Sequence, residues 1–141
     1  MIYELLPYVA VGPLRFGMTT AEVESVMGTP LRISATSRRE PRYRYPEFNA
    51  VFALTGGLAE VSFFDTAHVL IEAVDIFETP WPLQHLLKLD PGPLEDVGFL
   101  LLPKLGIMCT GFHNYDDRTL TALASASRLD PLLSNFKPYT R

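Results

Sequence analysis

The segment from Thr19 to Pro30 fixes the position and length of one short helix. Thr19 and Glu22 have the spacing of a capping box, in which each side chain accepts a hydrogen bond from the other residue's backbone N–H. Apolar side chains then recur on one helical face, at Val23, Val26 and Met27. Gly28 suits the left-handed residue that ends a helix, and Pro30 prevents continuation. The pattern predicts a helix over residues 20–27.

Strand patterns separated by turn residues dominate the rest of the chain. Thr55-Gly56-Gly57 predicts a hairpin turn, because adjacent glycines accept positive φ angles. A second helix is expected after Thr79, with Pro80 in its first turn. Tyr8–Phe16 is interpreted as a short first strand or an extended lead-in to the first helix, and Ser34–Arg44 as a loop entering a strand. Strands are expected at Asn49–Leu54, Leu58–Asp65, Leu70–Phe77, Phe99–Leu102 and Leu105–Phe112. Thr119–Ser127 fits helix or strand and is taken as strand.

This order of elements predicts an α+β fold. Links of hairpin length between strands imply antiparallel pairing, so we expect an antiparallel sheet of about six strands with two helices packed on one face. The 141 residues, 48% of them hydrophobic, are expected to form a single domain over positions 1–141. Residues 129–141 are expected to be a C-terminal tail that packs only partly, through Leu132, Leu133 and Phe136.

Composition disfavours several classes of function. A net charge of -4 and a pI near 5.3 argue against a nucleic-acid partner, because phosphates favour a basic face. One cysteine excludes an internal disulfide. The N-terminus lacks a basic region followed by an apolar stretch and a cleavage site, and the longest apolar run is far shorter than the roughly 20 residues that cross a bilayer. The expected location is the cytoplasm, without membrane contact.

The motif Gly17-Met18-Thr19, continued to Gly28-Thr29-Pro30, resembles a signature that recurs at the start of small α+β modules. These are the β-lactamase-inhibitor-protein-like group and the outer-membrane assembly lipoproteins (SmpA/OmlA). It is also similar to bacterial proteins that look like immunity proteins of toxin systems. The resemblance implies a non-enzymatic module that binds another protein. We expect neither a signal peptide nor a lipobox cysteine, and this expectation favours the immunity-like members of the group.

Few residues carry the pattern of a reactive site. Cys109 and His113 are four positions apart, but no second pair completes a tetrahedral metal site, so no metal and no cofactor are expected. For catalysis, the Cys109 thiol would have to contact the His113 imidazole, with Asn114 or Asp116 orienting the ring. Four residues of strand instead separate the two Cα atoms by roughly 13 Å. A small-molecule-binding or enzymatic domain using Cys109, His113 and Asp116 is kept as an alternative.

Basic and aromatic residues alternate between positions 38 and 45, as they do in strands that bind single-stranded nucleic acid. The residues are Arg38, Arg39, Arg42, Tyr43, Arg44 and Tyr45. Glu40 and Glu47 interrupt this set, and the whole chain is acidic. A solvated strand face is therefore the preferred interpretation.

Aromatic residues close to acids give the best candidate for a partner-binding surface, since tyrosine and tryptophan rimmed by charge are typical of binding hot spots. The candidate set is Tyr43, Tyr45, Asp65, Asp75, Tyr115, Asp116 and Asp117. We expect a non-enzymatic protein-binding module, in its most specific form a cytoplasmic immunity protein that neutralises a basic toxin domain. A structural subunit of a larger assembly is a further alternative, and the choice between monomer and homodimer stays open.

Overall fold

The computed structural model describes residues 1–112, 117–129 and 132–139, and within them two α-helices, fourteen strands and two 3-10 helices. The helices are α1 (Thr20–Met27) and α2 (Pro82–Leu89). The strands are β1 (Ile2–Leu6), β2 (Ala10–Val11), β3 (Leu14–Arg15), β4 (Arg32–Ala35), β5 (Pro41–Arg44), β6 (Phe48–Ala53), β7 (Gly57–Phe64), β8 (His68–Ile71), β9 (Val74–Asp75), β10 (Leu94–Asp96), β11 (Phe99–Leu102), β12 (Ile107–Thr110), β13 (Thr119–Leu123) and β14 (Lys137–Pro138). The 3-10 helices are Ala126–Leu129 and Leu132–Asn135.

The strands form two sheets. Nine strands, in the order β14-β10-β11-β12-β13-β7-β6-β5-β4, make an antiparallel sheet. Five strands, in the order β3-β2-β1-β8-β9, make a second sheet in which β1 and β8 run parallel. The fold is therefore α+β and mostly strand, but the expectation of one sheet with about six strands is wrong. The sequence did not predict β1, the β4–β5 hairpin, or strands β10 and β14, which extend the larger sheet beyond β11.

Helix α1 spans the residues that the capping pattern predicts. Thr19 Oγ1 accepts from the Glu22 N–H at 3.1 Å, and Glu22 Oε1 accepts from the Thr19 N–H at 3.0 Å. Gly28 follows the helix with φ of 84°, a conformation that favours glycine. Helix α2 instead begins two residues later than expected, because Pro82 rather than Pro80 occupies its first turn.

The predicted strand Leu70–Phe77 is two strands with a tight turn between them. Glu72 and Ala73 have φ of 50° and 66°, and the chain reverses there to pair β9 with β8. The expected turn at Thr55–Gly57 joins β6 to β7, and Thr119–Leu123 is the strand that the sequence analysis favoured. In the described part of the C-terminal tail, Lys137–Pro138 adds a strand beside β10, which the sequence did not predict.

One apolar cluster fills the space between the two sheets. Tyr3 of the smaller sheet packs its ring against Phe48 and Phe63 of the larger one, with centroid distances of 5.8 Å and 4.9 Å. Val23 of α1 and Leu86 of α2 belong to the same cluster. We call the side of the nine-stranded sheet that carries Phe48 and Phe63 the inner face, and the opposite side the outer face.

The outer face is covered over only part of its width. A second apolar cluster lies there, formed by Leu101, Leu123 and Leu129 with partly buried Leu94, Met108 and Phe136. Leu129 and Phe136 come from the C-terminal segment, which therefore lies over strands β10 to β13. Strands β4 to β6 carry polar and charged side chains on this same face, and it is here that the sheet offers an open surface.

Candidate functional site: a basic sheet face

Five polar side chains on strands β4, β5 and β6 form what we call the basic face. They are Arg32, Ser34, Arg42, Arg44 and Asn49, and they line an open cleft of about 410 Å³. Strand register places them together: Arg32 pairs with Arg44, Ser34 with Arg42, and Arg44 with Asn49. Paired residues of an antiparallel ladder project from the same face of a sheet. Three guanidinium groups therefore share one surface.

Two of these arginines are held by neighbouring side chains. The Arg42 Nε donates a hydrogen bond to Ser34 Oγ at 3.2 Å. The guanidinium of Arg44 lies 4.1 Å from the centre of the Phe64 ring, a cation–π contact. Both contacts restrain the side chains without neutralising them, so the positive charge remains available to a ligand.

Arg128 also lies on the outer face, but there two carboxylates neutralise its charge. Its guanidinium donates to Glu40 Oε1 at 2.6 Å and Oε2 at 2.8 Å, and to Glu60 Oε2 at 2.6 Å. These hydrogen bonds from Arg128 hold the pKa of the Glu40 carboxyl below its ordinary value. In the part of the chain that the structure describes, Arg32, Arg42 and Arg44 form no such ion pair.

The Arg128 cluster and the basic face are neighbours. A second open cleft, of about 360 Å³, is lined by Glu40, Glu60 and Arg128 and also by Arg42 and Asn49 of the basic face. The combined surface carries planar guanidinium groups that bind carboxylates through two parallel hydrogen bonds. Such a surface has the groups to bind an anion, with the Ser34 hydroxyl and the Asn49 amide beside the guanidinium groups.

The two tyrosines of the predicted partner site are not surface residues of this kind. Tyr45 is 2% exposed, its ring stacks on Phe48 at 4.9 Å, and its hydroxyl donates to the Gly28 carbonyl at 2.9 Å. Tyr43 is half-buried and packs edge-on against Phe52 on the inner face. A place on an exposed partner surface is wrong for Tyr45, which follows directly after β5. Alternation along β5 turns Arg42 and Arg44 outward and Tyr43 toward the core, and Tyr45 continues on the core side.

The predicted acidic residues do not gather on the basic face. Asp65 and Asp117 are exposed and line a shallow cleft with Phe64 and Arg118. Asp75 lies in the smaller sheet, where its Oδ2 is 2.8 Å from His68 Nδ1, and this contact raises the pKa of His68. Two further members of the predicted set, Tyr115 and Asp116, lie outside the described residues.

Cys109 is placed on the inner face, opposite Leu100 and Leu120 on the neighbouring strands. Burial raises the pKa of its thiol, which keeps the sulfur protonated. His113 and Asp116, its suggested partners, lie outside the described residues. Among the residues that are described, no three or more metal-ligating side chains cluster, and no helix is long and apolar enough to cross a membrane.

The residues that sequence analysis missed are Arg32, Ser34 and Asn49. A signal for them exists in the alternation R-x-S at 32–34 and R-Y-R at 42–44, since residues two apart share a strand face. It was missed because Ser34–Arg44 was interpreted as a loop entering one strand, whereas the segment forms the β4–β5 hairpin together with Arg32 and Ile33. Comparison with family models, with curated proteins and with solved structures finds no match to this chain.

Proposed function

We propose that this chain is a non-enzymatic domain that binds another protein, and that the basic face is its contact surface. The observation that carries the proposal is the placement of Arg32, Arg42 and Arg44 on one open sheet face with no carboxylate paired to them among the described residues. Like charges at paired positions destabilise a sheet. A partner that supplies carboxylates would offset this cost and gain charge-assisted hydrogen bonds.

Two features favour an acidic protein surface over a nucleic acid. The chain carries a net charge of -4, which repels an extended polyanion. Glu40 and Glu60 lie beside the basic face in the adjoining cleft, so the positive surface is a local patch of three arginines. A patch of this kind matches a few aspartates or glutamates on a folded partner.

A more specific form of the proposal is an immunity protein that neutralises a bacterial toxin in the cytoplasm. It rests on the resemblance of residues 16–30 to the start of immunity-like modules. The contact on the toxin would be acidic, whereas the sequence analysis expected a basic toxin surface. This form is tested by co-expressing the chain with the product of the adjacent reading frame and measuring whether it restores growth.

Charge reversal on the basic face tests the general proposal. The double variant Arg32→Glu/Arg44→Glu should recover the partner about tenfold or more weakly than the unchanged chain in affinity capture followed by calorimetry. Arg15→Glu is the matched control, because Arg15 is an exposed arginine of β3 in the other sheet. Equal affinity of the double variant and the unchanged chain would rule out the basic face as the contact surface.

A further inference from the structure

The larger sheet ends in two edges of opposite character. One edge is β14, two residues long and ending in Pro138, which has no N–H to offer. The other edge is β4, four residues long and paired on one side only, with β5, in the described part of the chain. The edge strands of the smaller sheet, β3 and β9, are also two residues long. Strand β4 is therefore the longest free edge that the structure describes.

The backbone of β4 has polar groups directed away from β5. The Thr36 N–H donates to the Glu40 carbonyl at 2.9 Å, which makes this a hydrogen-bonded pair. Hydrogen-bonded and non-bonded pairs alternate along an antiparallel ladder, so Ser34 is bonded to Arg42 whereas Ile33 and Ala35 are not bonded to β5. The N–H and C=O groups of Ile33 and Ala35 consequently face the open side.

The side chains of β4 are polar on one face of the strand and apolar on the other. Arg32 and Ser34 lie on the outer face and belong to the basic face. Leu31 and Ile33 are 68% and 60% exposed although both are large and apolar, and Ile33 lies on the opposite side of the strand. A free strand edge that is charged on one face and apolar on the other is a template for a strand of complementary pattern.

We propose that the partner adds an extended segment to β4, in which acidic residues alternate with apolar ones. Its acidic side chains would lie on the outer face beside Arg32 and Ser34, its apolar side chains beside Ile33, and its backbone would bond to Ile33 and Ala35. Cross-strand neighbours share a face, so this alternation follows from the register of β4. The inference rests on the proposed function and specifies the form of its partner.

The probe is a synthetic octapeptide of alternating glutamate and valine, titrated into the full chain by calorimetry and by NMR. Binding should shift the amide signals of Ile33 and Ala35 first. A matched peptide with lysine in place of each glutamate should bind at least tenfold more weakly. Absence of binding by the glutamate peptide, or equal binding of the two peptides, would overturn the proposal.

Two variants separate the backbone contact from the charge. Ile33→Pro removes the outward N–H, and an edge position tolerates proline because that N–H has no partner in the sheet. We expect an affinity loss of at least tenfold. Ile33→Thr keeps the N–H and should stay within about threefold. If Arg32→Glu/Arg44→Glu abolishes binding of the protein partner but Ile33→Pro leaves it unchanged, strand addition fails and the proposed function stands.

A measurement on the peptide makes the test independent of how Ile33→Pro folds. Methylating the backbone nitrogens of alternate residues removes one edge of hydrogen bonds from the peptide. One of the two methylation patterns should abolish binding, and the other should leave it within about threefold, because only one edge of an added strand meets β4. Equal binding of both methylated peptides would show that the peptide does not bind as a strand.

Discussion

Arg32 and Arg44 lie directly opposite each other on neighbouring antiparallel strands. Such a pair costs stability, because like charges at paired positions repel each other. The sheet does not relieve this cost with a carboxylate in the described residues, although it does so for Arg128 with Glu40 and Glu60. We interpret the opposed arginines as stability given up in favour of binding.

Replacing one member of this pair by an acid should raise stability while lowering binding. Arg32→Glu faces Arg44 with an opposite charge, so the free energy of unfolding should rise by up to about 1 kcal/mol in urea denaturation at low ionic strength. The gain should shrink in high salt, which screens exposed charges. Arg15→Glu is the control and should change little. A loss of stability in Arg32→Glu would show that the two guanidinium groups do not repel each other.

Removal of Arg128 should be strongly destabilising. The Arg128 and Glu40 side chains are only 14% and 8% exposed, so Arg128→Leu leaves the Glu40 carboxylate buried without its counter-charge. Breaking a buried ion pair by removing one partner costs about 3 kcal/mol or more. Urea denaturation measures this loss, with Arg15→Leu as a control for removal of an exposed arginine. A change no larger than that of the control would show that pairing Arg128 with Glu40 contributes no more to stability than an exposed arginine does.

The Arg128 cluster also makes stability depend on pH in the acidic range. The pKa of Glu40 is lowered from its ordinary value of 4.5 by hydrogen bonds from Arg128. Its contribution to stability is therefore fully present above the unfolded-state pKa and is lost as the pH falls through the lower folded-state pKa. The difference in unfolding free energy between the unchanged chain and Glu40→Gln should shrink on acidification below about pH 4. A difference that stays constant would contradict this assignment.

Gly57 and Gly56 should respond differently to the same substitution. A Cβ at Gly57 would lie 2.3 Å from the Gly17 carbonyl oxygen, and φ there is 73°. Gly57→Ala should therefore lose more than the roughly 1–2 kcal/mol that the left-handed backbone alone costs. At Gly56 the nearest atom to an added Cβ is the Ala53 Cβ at 3.6 Å, so Gly56→Ala is the matched control. Thermal denaturation compares the two, and equal losses would contradict the close approach of Gly17 to β7.

Elements whose signals are local were predictable from the sequence. The ends of α1 follow from Thr19, Glu22 and Gly28, which act within one or two turns of the helix. The turn at Thr55–Gly57 follows from a local signal in the same way, and of its two glycines it is Gly57 that adopts a positive φ, of 73°. The turn between β8 and β9 could not be predicted from the sequence, because Glu72 and Ala73 adopt positive φ angles at positions where no glycine marks the turn. Side chains rarely do so unless the surrounding structure holds them there.

The basic face depends on contacts that no local pattern specifies. Arg32 and Arg44 are brought together by the register of β4 on β5, and Phe64 reaches Arg44 only because β7 lies beside β6. The arginines from 38 to 44 stand out in the sequence, but it was Tyr43 and Tyr45 that were assigned to a binding surface. Tyr45, the residue after β5, is instead buried against Phe48, with its hydroxyl bonded to the Gly28 carbonyl, and neither contact is local in sequence to the arginine pattern.

The reactivity of the Cys109 thiol tests whether this residue could serve as a nucleophile. Because burial raises its pKa, the sulfur is a protonated thiol at neutral pH, and the thiolate is the reactive form. A thiol reagent should label the native protein far more slowly than the unfolded protein in urea, where the thiol is free. The native rate should show no inflection near pH 7, and Cys109→Ala should bind the partner normally. Labelling of the native protein as fast as a free cysteine, with such an inflection, would contradict the buried placement of Cys109 and favour the enzymatic alternative.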